Sequence, residues 1–158
     1  MRRETFTPLQ AREVAEAFAE HKVDYMFIGK SGAILLGYPG TTQDVDVFPR
    51  KTVDNGRRIV AALIGLGFDL NETIKAEIIS GKDFVQIKNG PFDIDLVFAP
   101  DGIESYDAAK ARIDNSSGFP VANISDIIES KRAAKRPRDA IELPQLVAFR
   151  EEYKKKHT

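Results

Sequence analysis

Two short apolar runs of this chain each carry a pair of aspartates at alternate positions, Asp44-Val45-Asp46-Val47 and Asp93-Ile94-Asp95-Leu96. In a strand, residues two apart share a face, so each pair projects side by side while the aliphatic residues between them face the other way. Adjacent carboxylates repel, and burying them without partners is costly. Such a face is therefore either solvated or supplied with a hard divalent cation, and carboxylate-held Mg²⁺ or Mn²⁺ is common equipment for phosphoryl transfer. A lone Asp-x-Asp favours the solvated face. Two pairs, the first preceded by a glycine turn and a small-residue segment, favour the metal.

Composition narrows the choice of metal. The chain has no cysteine and only two histidines, His21 and His157, which removes thiolate sites and argues against a zinc centre. With 158 residues, 42% hydrophobic and 30% charged, it is expected to fold as one domain, 1–158. Within it, a core sheet spans 23–100 and a helical segment 120–153. The net charge of −1 gives no reason to expect polyanion binding by the whole molecule, but from Pro120 onward nine Lys/Arg face six Asp/Glu. No apolar run reaches membrane-span length and the first residues lack a signal-peptide core, so the cytoplasm is the expected location and no membrane partner is expected.

Periodicity predicts an α/β (α+β) chain with a mixed sheet. A helix is expected over 7–22, capped by Thr7, then a buried strand over 25–28, a short helix over 31–36 and a turn at Tyr38-Pro39-Gly40. The Asp44–Val47 strand follows, and then a helix from Asp54 to about Leu66, stopped by Gly67. Alternation on either side of Asn89-Gly90 reads as a hairpin of 84–88 and 92–98. Beyond it come a helix over 105–112, a short strand over 119–122, a helix capped by Ser125 and a last helix after Pro137.

The run Ile28-Gly29-Lys30-Ser31, then a short apolar helix, then Asp44-Val45-Asp46-Val47, resembles the signature of the DNA polymerase β-type nucleotidyltransferases. The closer likeness is to the minimal branch that includes AbiEii-type toxins of abortive-infection systems. Its C-terminal element is matched here by Ile127 to Asp139, with Lys131, Arg136 and Asp139 in order. The resemblance implies that Asp44, Asp46 and Asp95 ligate Mg²⁺ and are catalytic, Asp95 being preferred to Asp93 for its place before Leu96 and Val97. It further implies that Gly29, Lys30 and Ser31 open a helix facing the triphosphate, that Lys131 reaches toward the nucleotide, and that Arg136 and Asp139 support that end. For Lys131, an exposed position on a polar helix face is the competing expectation. Two positions depart from the pattern. Lys30 stands where a second glycine or serine is usual, and Gly40 where many relatives carry arginine.

The implied activity is Mg²⁺-dependent transfer of a nucleoside monophosphate from a nucleoside triphosphate to a hydroxyl on RNA, a protein or a small molecule, within a toxin–antitoxin or abortive-infection setting. The sequence does not choose the acceptor or the oligomeric state. The rival is a fold-retaining module that binds nucleotide or protein without turnover. Gly29-Lys30-Ser31 also matches the end of a phosphate-binding P-loop, but the glycine required five residues earlier is Asp24. His21 reads as a helix-end residue, and Tyr38 as turn packing rather than a base-stacking platform.

Overall fold

The structure, a computed structural model, describes residues 5–88 and 90–157. Four strands, β1 (Tyr25–Phe27), β2 (Asp44–Pro49), β3 (Phe84–Ile87) and β4 (Asp93–Val97), form one sheet in the order β1-β2-β4-β3. β2 and β4 are parallel, while β1 and β3 pair antiparallel to their neighbours. The mixed sheet and flanking helices agree with the expected fold class. Asn89 of the expected hairpin turn lies outside the described residues.

Alternation decides which face of the sheet is buried. Val45, Val47, Val85, Ile87, Ile94 and Leu96 point one way and are almost completely shielded. The helices on this side are α1 (Pro8–Glu20), α3 (Val53–Gly65) and α4 (Glu72–Ser80), with α3 against both α1 and α4 and α4 against β3. Phe18 of α1 meets Tyr25 edge-on at 4.8 Å. The opposite face is shared by α2 (Gly29–Leu35) on β2, α6 (Ile124–Ala134) on α2, and α7 (Pro137–Lys156) on α6. A short α5 (Tyr106–Ala111) is capped by Ser105, which accepts from Ala108 N. Among the described residues no helix is long and apolar enough to cross a membrane.

Several boundaries differ from the sequence expectation. Helix α4 was not expected; its start is marked by Asn71, which accepts from Ile74 N at 2.8 Å, and its end by left-handed Gly81. Ile78 alone is fully buried along it, so the apolar periodicity that announces a helix is faint. The strand expected over 119–122 shrinks to single bridges from Val121 to Phe27 and Asp114. Pro120 accepts from Phe27 N but has no N–H to return, which stops the ladder. Helix α2 begins at Gly29, two residues before the expected start. Thr52 rather than Asp54 caps α3, and Asn123 rather than Ser125 caps α6. Thr7 holds the cap position of α1 without a side-chain cap bond.

Helix α7 contains Pro144 in its interior. It is reached through Lys135, whose left-handed φ of 54° turns the chain out of α6 so that Pro137 opens the new helix. That reversal brings α7 back alongside α6, and with it Asp139 toward Lys131.

Candidate active site

Parallel pairing of β2 with β4 sets Asp44 opposite Asp93 and Asp46 opposite Asp95. All four side chains share the face opposite the buried valines. The cross-strand row continues from Asp95 to Gln86 of β3, a neighbour that the sequence did not single out. Asp93 and Asp95 are buried, whereas Asp44 and Asp46 keep part of their surface.

Asp46 and Asp95 stand opposite each other across the β2–β4 pairing, so each carboxylate feels the other. Desolvation pushes Asp46 well above the ordinary carboxylate range, the Asp95 and Asp44 charges add to this, and Lys131 opposes it. Desolvation and the Asp44 charge lift Asp95 to about 6, against the pull of Lys88. Among the described residues Asp95 Oδ1 is buried without a hydrogen-bond partner. The arrangement is an anionic cluster short of positive charge.

Among the described residues no three carboxylate, imidazole or thiol side chains are gathered as a closed metal cage. Mg²⁺ does not need one, because it commonly uses one or two carboxylates and completes its shell with water and substrate phosphates. Paired carboxylates on adjacent strands, with an unpartnered buried oxygen, fit that kind of cation.

Local structure explains the residues around the aspartates. Gly29 has φ +66°, and a Cβ there would lie 2.5 Å from Asp46 Oδ2, so glycine is required for the Asp46 carboxylate to pack where it does. Ser31 is fully buried; its hydroxyl accepts from Asp46 N at 2.9 Å and donates to Ile28 O at 3.2 Å. Ile28 N also donates to Asp46 O at 2.9 Å. Ser31 thus ties α2 to β2 and positions Asp46, with its hydroxyl already occupied. Gly29→Ala is expected to lower Tm by about 3–6 °C and weaken metal–nucleotide binding at least about tenfold, by left-handed strain plus displacement of Asp46. Calorimetry and a thermal melt check this, and a wild-type affinity would contradict the close packing.

The C-terminal residues converge on the same site. Lys131 is buried, not exposed on a polar helix face, and its Nζ lies 3.3 Å from Asp139 Oδ1 and 3.1 Å from Glu142 Oε2. Arg136 Nε donates to Asp139 Oδ2 at 3.1 Å, so this arginine orients Asp139. Burial pulls Asp139 upward, but Arg136 and Lys131 hold it below its usual value. Glu142, which the sequence reading missed, also accepts from Lys30 Nζ at 3.3 Å. Its signal was the spacing of three from Asp139, which places both on one helical face.

The two departures from the family pattern are neighbours in space. A Cβ on Gly40 would meet Tyr38 Cε2 at 2.7 Å and Lys30 Cε at 3.2 Å, so the Lys30 stem runs past the place of the absent side chain. Tyr38 is buried, packs against Phe149 at 5.6 Å and donates to Gln145 Oε1 at 3.1 Å, in keeping with turn packing.

The fold is that of the nucleotidyltransferases. The chain superposes on lincosamide antibiotic adenylyltransferase LnuA, lincomycin-bound, with TM-score 0.61 and 12% identity over 90% of this chain and 98% of that one. For ANT(2″)-Ia in complex with adenylyl-2″-tobramycin the TM-score is 0.58 at 14% identity, over 95% and 98% of the two chains. JHP933 from Helicobacter pylori gives TM-score 0.53 at 18% identity, covering 92% of this chain and 66% of that one. At these identities the likeness establishes the fold. No family model matches the sequence, and no curated protein matches it.

Proposed function

We propose that this protein transfers a nucleoside monophosphate from a nucleoside triphosphate, such as ATP, to a hydroxyl acceptor. The observation that carries the reading is the Asp46–Asp95 carboxylate pair on adjacent parallel strands, with Asp44 beside it and the buried ammonium of Lys131 facing it. Mg²⁺ or Mn²⁺ held by Asp44, Asp46 and Asp95 would neutralise developing charge on the phosphates and acidify the acceptor hydroxyl.

The chain's own groups supply the rest. Asp95, with Oδ1 buried and unpartnered among the described residues, is placed to take the acceptor hydroxyl proton as the oxygen attacks the α-phosphorus. The bond from the α-phosphorus to the bridging oxygen breaks, and pyrophosphate leaves. Lys131 places positive charge beside the phosphates, while Asp139 and Arg136 hold it in position. Gly29 and Ser31 fix Asp46.

LnuA and ANT(2″)-Ia are described with lincomycin and an adenylylated tobramycin. These descriptions weigh toward a small-molecule hydroxyl among the three acceptor classes, RNA, protein and small molecule. The AbiEii-like, toxin–antitoxin setting rests on the Ile127–Asp139 element alone. A binding module without turnover is favoured by the bulky Lys30 in place of a small residue beside Gly29 and by Gly40 in place of an arginine.

The test is pyrophosphate release and transfer of labelled nucleotide with purified protein, Mg²⁺ or Mn²⁺, each triphosphate and mixed acceptor pools. EDTA is expected to abolish transfer, and to remove the rise in Tm that nucleotide gives with metal; Mn²⁺ restores both. Metal-dependent binding without transfer to any acceptor supports the module. Absence of both nucleotide binding and transfer would sink nucleotide transfer and the nucleotide-binding form of the module.

A further inference from the structure

Glu142 sits between two ammonium groups. Lys30 Nζ is 3.3 Å from Oε1 and Lys131 Nζ 3.1 Å from Oε2. Two like charges gathered around one anion are stable only while an anion is there. Lys131 has a second carboxylate, buried Asp139, whereas among the described residues the ion pair of Lys30 is with Glu142.

The place of this bracket matters. The Lys131 charge reaches Asp46, and Lys30 follows Gly29, on which the Asp46 carboxylate packs. The bracket therefore borders the carboxylate pair rather than an unrelated surface. The Glu142 side chain is itself 22% exposed, so the bracket is not sealed from solvent. Gly40 leaves room for the Lys30 stem to cross toward this point.

We propose that Lys30 and Lys131 form the seat for the terminal phosphates of the nucleotide, and that Glu142 fills this seat when no nucleotide is bound. The proposal rests on the nucleotide-transfer reading and adds to it an internal competitor, Glu142, for the phosphate seat of Lys30 and Lys131. Carboxylate and phosphate oxygens accept charge-assisted hydrogen bonds from the same ammonium groups, and lysine binds phosphate as a point charge. Phosphate entry displaces Glu142, while Lys131 keeps Asp139. The apparent affinity for triphosphate is lowered by the fraction of molecules in which Glu142 holds the seat.

The experiment measures binding of sodium tripolyphosphate without divalent metal, and of ATP and AMP with Mg²⁺, by calorimetry. Glu142→Gln is expected to bind tripolyphosphate and ATP about tenfold more tightly, ~1.4 kcal/mol, with AMP unchanged. Adding Lys30→Met removes the gain, and Lys30→Met alone weakens ATP but not AMP. Melts show whether each variant is folded; should Glu142→Gln not fold, the ATP-against-AMP contrast of Lys30→Met decides. A purely structural ion pair predicts a lower Tm with no tighter phosphate binding, which would overturn the proposal. If wild type binds ATP with Mg²⁺ but Glu142→Gln binds no tighter, the seat fails and nucleotide transfer stands. If neither protein binds ATP with Mg²⁺, both fail.

Discussion

Asp95→Asn is expected to make the metal-free protein more stable while lowering nucleotide transfer on the order of 10³-fold, ~4 kcal/mol in the barrier. The opposite signs share one cause. Two carboxylates face each other across β2 and β4 with little compensating charge, so the fold bears a repulsion that a bound cation would offset. Removing one charge relieves it and, in the proposed reaction, would remove a ligand and proton acceptor together.

The sign with pH follows from the raised value. Asp95 stands at about 6 in the fold against an ordinary 3.8, so the folded state holds a proton that the unfolded chain releases. Stability from this group is complete below about pH 4 and is lost as pH rises through about 6. The gain from Asp95→Asn should accordingly be small at pH 4 and reach about 3–6 °C in Tm by pH 7, in EDTA. Melts of both proteins across that range check it. A gain independent of pH would show that charge is not the cause.

Gly56→Val is expected to cost about 3 kcal/mol, lowering Tm by about 6–12 °C. Helix propensity alone predicts a gain of a few tenths, since Gly56 lies inside α3. The collision outweighs it. A Cβ at Gly56 would lie 2.7 Å from Ile79 Cα and 2.9 Å from Ile78 O, backbone atoms that cannot rotate aside. Helices α3 and α4 must separate, opening the layer over Val45 and Ile94. Urea and thermal unfolding measure the loss, and a Tm within 2 °C of wild type would contradict this approach of the two helices.

Gly56 also shows where sequence reading stops. The carboxylate strands were legible because alternation is a period of two, and each Asp-x-Asp carries its own orientation. The pairing of Asp46 with Asp95 was only implied, because register belongs to two distant segments. Helix α4 escaped because Ile74, Ile78 and Ile79 look as much like strand as helix, leaving Asn71 and Gly81 as its main marks. Ser31 was expected to open the helix that faces the triphosphate; that its hydroxyl ties Asp46 N to Ile28 O was not legible, because the bond joins two separate segments. Lys131 and Asp139 were readable as an ordered motif. Glu142 was not, since its meaning depends on Lys30, 112 residues away.

Pro144 divides α7 by subtraction. A proline has no amide, so the helix offers the carbonyl of Ala140 no donor at that point. Downstream, Leu146 is buried and Phe149 and Tyr153 join the aromatic contacts that reach Tyr38. Upstream, Asp139 and Glu142 engage lysine and arginine. One continuous helix therefore holds two units with different sensitivities. Ionic strength screens the half-exposed Arg136 and the part-exposed Lys30 attachment more than the buried Lys131–Asp139 pair, and scarcely affects the downstream contacts. Any salt-dependent rise in amide hydrogen exchange along α7 should therefore stop at Pro144. The first turns of α7 behave as an ionic clasp, on a shaft anchored in the core.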